Sequence, residues 1–328
     1  MSDSPAIFSY AASPFDHPQA DVILRSSDNV DFRVFKLFLS LASPVFHTMF
    51  GLPQPSEGVN PDEETKDELP VVSVSEGSKT LDALLRFCYP STLTEDPSLD
   101  GFMSATEILE AAKKYSLDAI ERIVCKALFI PKILEVDSLP CFAVARHADL
   151  GEQCALAARY SLREPLIPAK FQGIQLISST DLLALLAYHK NCANAVLSLQ
   201  SNLVWIQNHY QQSSAIGWMA GCGSCSRPRS SKYSLFGSQV ALWWADFMDE
   251  IFMEIRDRPC AQTVEKGAEA AIRKFRAQYQ CSRCSSAVSG GIQEFVTLFT
   301  NQMEAVTAKV SPIRLASCQP MHCCRRFS

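Results

Sequence analysis

Two runs of apolar and β-branched residues, 21–25 and 30–35, flank the polar tetrapeptide Ser26-Ser27-Asp28-Asn29. That arrangement predicts a β-hairpin. The period then changes, because Leu37, Leu39, Leu41 and Ala42 lead into Ser43-Pro44, after which Val45, Phe46, Met49 and Phe50 recur at helical spacing. Ser43 is placed to cap that helix, with Pro44 at its first position, where a missing N–H costs nothing. Val71, Val72 and Val74 predict a further short strand. Leu81, Leu84, Leu85 and Cys88 then line one face of a helix that stops at Tyr89-Pro90. Ile108, Leu109, Ala112 and Tyr115 mark one amphipathic helix, and Leu117, Ile120, Val124 and Leu128 the next, with Ser116 placed to cap it.

Beyond this point the helical period persists. Residues 133–163 are rich in Ala and Leu at helical spacing, and 181–199 predict a strong helix with Thr180 as its cap. Residues 211–234 are rich in Gly and Ser and read as a loop. Val240, Trp243, Trp244, Phe247, Ile251, Phe252 and Ile255 form the clearest amphipathic stripe, and further helices are expected over 264–279 and 292–310. The chain is thus divided into a flexible lead over 1–18, a mixed domain over 19–128, a helical extension over 129–210, a second helical region over 211–312 and a disordered tail over 313–328. Residues 51–70 interrupt the first domain with six carboxylates against Lys66. They read as a solvated excursion, or as a segment for partner docking or modification. No internal repeat is present, which excludes a propeller.

At 328 residues the chain has room for more than one core, and 47% hydrophobic with 20% charged residues is ordinary for a globular protein. The net charge of −5 gives no nucleic-acid footprint. The N-terminus lacks the basic flank and apolar run of a secretory signal, and no apolar segment is long enough to span a bilayer. A cytosolic or nuclear protein without membrane contact is expected. Thirteen cysteines in such a compartment suggest reduced thiols and metal ligands rather than disulfides.

The sharpest chemical signal is a pair of Cys-x-x-Cys units, Cys222 with Cys225 and Cys281 with Cys284. Two residues between cysteines let both sulfurs face one ion, and two such turns complete a tetrahedral site for a structural zinc. Coincidental reduced thiols and a redox pair are the other readings, and no βαβ pattern surrounds the units to support the last. Cys318, His322, Cys323 and Cys324 form a second, irregular group in the tail. Nucleophile elbows, His-Glu-x-x-His, phosphate-binding Gly loops and dinucleotide fingerprints are all absent, so an enzyme is not expected. His47, His147, His189 and His209 stand singly and read as structural. No histidine pair completes a DNA-binding finger, and the basic run over 226–232 reads as a solvated loop.

The segment over 32–50 carries a family resemblance. Asp21, Phe32, Phe35, Lys36, Leu39, Ser43 and Phe46 follow the opening pattern of a BTB/POZ domain, with Phe35 where that family usually has His. Tyr89 and the helix pair over 107–128 resemble later elements in the same order, so the likeness covers about 19–128. The resemblance implies an α+β domain, a small sheet flanked by helices, followed here by a mostly α-helical C-terminal region. The helices from Ile133 look like the extension that follows many such domains, and the cysteine pairs resemble those of fungal BTB proteins with a helical C-terminal region. It also implies a protein–protein interaction module that homodimerises and recruits a partner, with Asp21, Lys36, Phe32 and Phe35 as interface candidates. For Asp21 and Lys36, ordinary surface charges are the other reading. The implied partners are a second copy and the cullin-3 scaffold of a ubiquitin ligase, for which the chain would be a substrate adaptor. The alternative is a transcriptional regulator acting through corepressor recruitment.

Overall fold

A computed structural model of the chain describes residues 8–52, 65–95, 97, 99, 101–220, 228–279 and 281–311. Two compact units result, Met1–Ile133 with His147–Leu150, and Leu134–Arg146 with Gly151–Ser328.

The first unit is built on a small curled sheet of β1 (Ser9–Tyr10), β2 (Val22–Arg25), β3 (Val30–Val34), β4 (Thr65–Lys66) and β5 (Leu69–Ser73), in the order β1-β3-β2-β5-β4. The expected hairpin is β2–β3, antiparallel, with Val22 opposite Val34 and Arg25 opposite Asp31. Asn29, at φ 62°, takes the left-handed position that its loop requires. β5 lies parallel to β2, and β1 parallel to β3. The β4–β5 connection is a two-residue turn with both Asp67 and Glu68 at positive φ, the twist that matches a hairpin. The flexible lead needs correction. From Phe8 onward it belongs to the fold: Phe15 is fully buried, and its carbonyl accepts the Arg33 N–H at 2.8 Å. Residues 1–7 lie outside the described residues.

Among the described residues, the sheet is accompanied by α1 (Lys36–Ala42), α2 (Pro44–Gly51), α3 (Ser78–Cys88), α4 (Phe102–Lys114) and α5 (Asp118–Leu128). Ser43 caps α2 as expected, its Oγ accepting the Phe46 N–H at 3.1 Å with Pro44 in first position. Ser116 does not cap α5. It sits at φ 53°, and its N–H and that of Leu117 return to the carbonyls of Lys113 and Ala112, so it closes α4 instead.

A turn of helix, α6 (Pro131–Leu134), falls where the units divide. The second unit is helical: α7 (Ser138–His147, its last residue belonging to the first unit), α8 (Gly151–Tyr160), α9 (Ser179–Ser201), α10 (Val204–Tyr210), α11 (Gly217–Ala220), α12 (Leu242–Ile255), α13 (Ala261–Gln278) and α14 (Ser282–Thr307). Its core contains Trp205, Trp218, Trp243, Trp244, Phe247, Phe252, Phe275, Phe295 and Phe299. The amphipathic stripe is therefore the buried face of α12 together with Val240.

Three expectations for this unit fail. The cap of α9 is Ser178, in a capping box with Asp181, and Thr180 lies inside the first turn. The loop expected over 211–234 contains α11 and the start of a hairpin, β6 (Arg229–Leu235) with β7 (Ser238–Ala241). The last helix begins ten residues before Ile292, because Gly290 and Gly291 sit within it rather than ending it. Trp218 requires a glycine at 291, where a Cβ would lie 2.5 Å from the indole Nε1, whereas a Cβ on Gly290 would meet nothing within 4 Å.

Candidate protein-interaction surface

α1 is two turns long and buries only Leu39. Leu37 and Leu41, one turn apart on the same face, are 62% and 78% exposed, and Val45 in the first turn of α2 is 37% exposed. A single exposed leucine is unremarkable, but repeated apolar exposure on one short helix marks a surface suited to contact. The sequence leads to this helix through its neighbours, yet it does not single out Leu37 and Leu41. Their spacing alone cannot say which side of α1 faces the core.

The entry to α1 gathers most of the expected interface residues. The Phe35 N–H donates to Tyr89 Oη at 3.0 Å, and the Lys36 N–H donates to Asp21 Oδ1 at 2.7 Å. Asp21 is exposed, while Lys36 and Phe35 are half-buried. The Phe35 ring lies 5.3 Å from His17 and 5.6 Å from Phe38, and Phe38 lies 4.9 Å from Tyr89. Lys36 Nζ stands 5.8 Å from the centre of the Phe50 ring. Phe32 departs from the expectation. At 2% exposure it packs on Phe15 in the domain's own core, because it alternates inward on β3, and it offers no surface to a partner.

The strongest electrostatic cluster is structural. Asp31 is fully buried and holds Arg25 at 2.7 Å and Lys66 at 2.6 Å, while Lys66 also lies 4.1 Å over the Tyr10 ring. Burial alone would raise the Asp31 carboxyl, but hydrogen bonds and charge from Arg25 and Lys66 outweigh it and hold the group below its usual range. The cluster ties β2, β3 and β4 together beneath the rings of Phe8 and Tyr10.

Cys281 is the residue before α14, and Cys284 lies in its first turn, 4% exposed. Cys284 lines a cleft of about 450 Å³ with Ser214, Trp218, Arg283 and Glu294. Cys222, Cys225 and the cysteines of the tail lie outside the described residues, among which no group of three metal-ligating side chains occurs. Of the histidines, His147 meets Glu110, His209 meets Glu294, and His189 is buried against the Glu164 carbonyl.

The β2–β3 hairpin, the helices on the sheet and the exposed face of α1 all lie within the segment that the comparison identifies. Residues 14–129 match the family profile described as BTB/POZ domain. The first unit is a BTB domain. No curated protein matches the chain. The BTB fold is a protein-interaction fold whose members commonly dimerise and bind partners, which gives the α1 surface a functional context. The BTB domain is followed by the mostly helical second unit, and no helix among the described residues is long and apolar enough to cross a membrane.

Proposed function

We propose that the chain is a non-enzymatic adaptor whose BTB domain self-associates through α1 and whose helical unit binds a further protein. The observation that supports this most directly is the exposure of Leu37 and Leu41 on a helix whose only buried residue is Leu39. In a symmetric pair the same patch meets itself, so it must be self-complementary, and a short apolar face satisfies that without charge matching. Apolar contacts would supply most of the affinity, with Asp21 and Lys36 at the rim setting register.

Its finer form is a substrate adaptor for a cullin-3 ubiquitin ligase, supported by a BTB domain followed directly by helices α7 and α8. Pull-down of the full chain with the cullin-3 N-terminal region tests it. Retention supports the adaptor, whereas no binding by a chain that still dimerises removes it. Co-purification of a nuclear corepressor instead would favour the transcriptional alternative.

A structural zinc held by Cys222, Cys225, Cys281 and Cys284 completes the proposal, supported by the spacing within each pair and the position of Cys281 and Cys284 at the start of α14. Four thiolates leave no open coordination position, so this ion would serve folding rather than chemistry. Elemental analysis is expected to find one zinc per chain, and a strong chelator to lower the melting temperature of the helical unit. A metal-free chain with unchanged melting would exclude the site.

A further inference from the structure

We infer that Tyr89, which has almost no surface of its own, acts with Asp21 as an external cap that sets the pose of α1 and thereby the affinity of the self-association proposed above. The inference rests on that reading and adds to it a positioning residue outside the contact face.

α1 has no cap from its own sequence. Phe35 occupies the cap position without a side-chain bond, no acidic residue stands in the first turn, and the first intrahelical bond, from the Leu39 N–H to the Phe35 carbonyl, is long at 3.5 Å. A seven-residue helix is far too short to persist unaided. Its two leading N–H groups are instead taken by residues distant in sequence, that of Phe35 by Tyr89 at the end of α3, and that of Lys36 by Asp21 just before β2. The carboxylate is also favourably placed against the positive end of the helix. Tyr89 is 7% exposed, with its ring held edge-on by Phe15 at 5.3 Å and Phe38 at 4.9 Å. Burial, with a smaller contribution from the charge of Asp21, pushes its phenol up to about 12, so the group stays neutral at physiological pH.

The other end of α1 is fixed independently. The Ser43 N–H returns to the Leu39 carbonyl at 2.9 Å, and the Ser43 hydroxyl donates to the Tyr115 carbonyl at 2.6 Å. With Leu39 as the central anchor, the direction in which Leu37 and Leu41 point depends on the first turn. If that turn frays in the free chain, a second copy must reorder it on binding, and affinity falls by the cost of reordering.

The test is sedimentation of the full chain with Tyr89→Phe, which keeps the ring packing and removes the acceptor, and with Asp21→Ala, which removes the other acceptor and leaves the ring cluster untouched. Dimer affinity measured well below the melting temperature is expected to weaken roughly tenfold in each variant, the factor that corresponds to about 1.4 kcal/mol. Asp21→Asn, which retains an acceptor oxygen, should recover part of the loss. Amide exchange should quicken at Phe35, Lys36 and Leu39 while the β2–β3 amides keep their protection. A lowered melting temperature with unchanged affinity in both variants would show a purely structural role and overturn the inference. A wild-type chain that remains monomeric would overturn the self-association itself.

Discussion

His189 lies on α9 with 4% of its surface exposed, its Nε2 3.1 Å from the Glu164 carbonyl and its Nδ1 without a partner among the described residues. Burial holds its pKa below the ordinary 6.5, with the Glu164 carbonyl and the charge of Asp257 opposing only in part. A base whose pKa is depressed on folding binds fewer protons in the native than in the unfolded state, so stability is complete above 6.5 and declines as pH falls below it. Melting of the helical unit should drop between pH 7 and pH 5 in the wild-type chain and depend less on pH in His189→Gln; equal slopes would refute the assignment. Gly291 offers a second test at this scale. Adding a methyl group there drives Cβ against the Trp218 ring, and Gly291→Ala should cost about 1–3 kcal/mol in denaturant titration despite its higher helix propensity. A neutral or stabilising result would show that the indole moves freely. Neither role is legible in the sequence, where His189 is one of several isolated histidines and a Gly pair inside an apolar pattern reads as a break.

At the scale of elements, legibility follows the range of the contacts that define them. The β2–β3 hairpin, α2 with its Ser43 cap, α3 ending at Tyr89, and the stripe on α12 are all readable, because each is written in neighbouring residues. The cysteine spacing is equally local. Caps supplied from a distance are not readable. Asp28 accepts the Ser78 N–H and hydroxyl to hold the start of α3, fifty residues away, and Asp21 does the same for α1. Ser116 misleads for a related reason: only its left-handed backbone shows that it ends one helix rather than beginning the next. The β6–β7 hairpin escapes because its inward positions include Ser230 beside Tyr233 and Leu235, its register shifts between Arg229 and Ser234, and its turn uses Phe236-Gly237 rather than a common hairpin pair. Of the residues proposed for an interface, Asp21, Lys36 and Phe35 gather at the entry to α1, whereas Phe32 proves to be core, and the exposure of Leu37 and Leu41 emerges only from the fold.

At the scale of the whole molecule, a BTB domain with an exposed apolar face on α1 is followed by a helical unit whose aromatic side chains, among the described residues, are largely buried. The proposed self-association is assigned to the first and to few residues, so a change at α1 should alter assembly without unfolding either unit. Leu41 is the most informative position, being 78% exposed and contributing little to the domain's own core. The decisive measurement is sedimentation equilibrium of the full wild-type chain and of Leu41→Glu at tens of micromolar, with circular dichroism to establish that both are folded. The account predicts a wild-type dimer and a folded Leu41→Glu monomer, because a charge placed on a self-complementary patch meets its own copy across the two-fold axis. A wild-type monomer, or a Leu41→Glu chain that dimerises as tightly as the wild type, would contradict it.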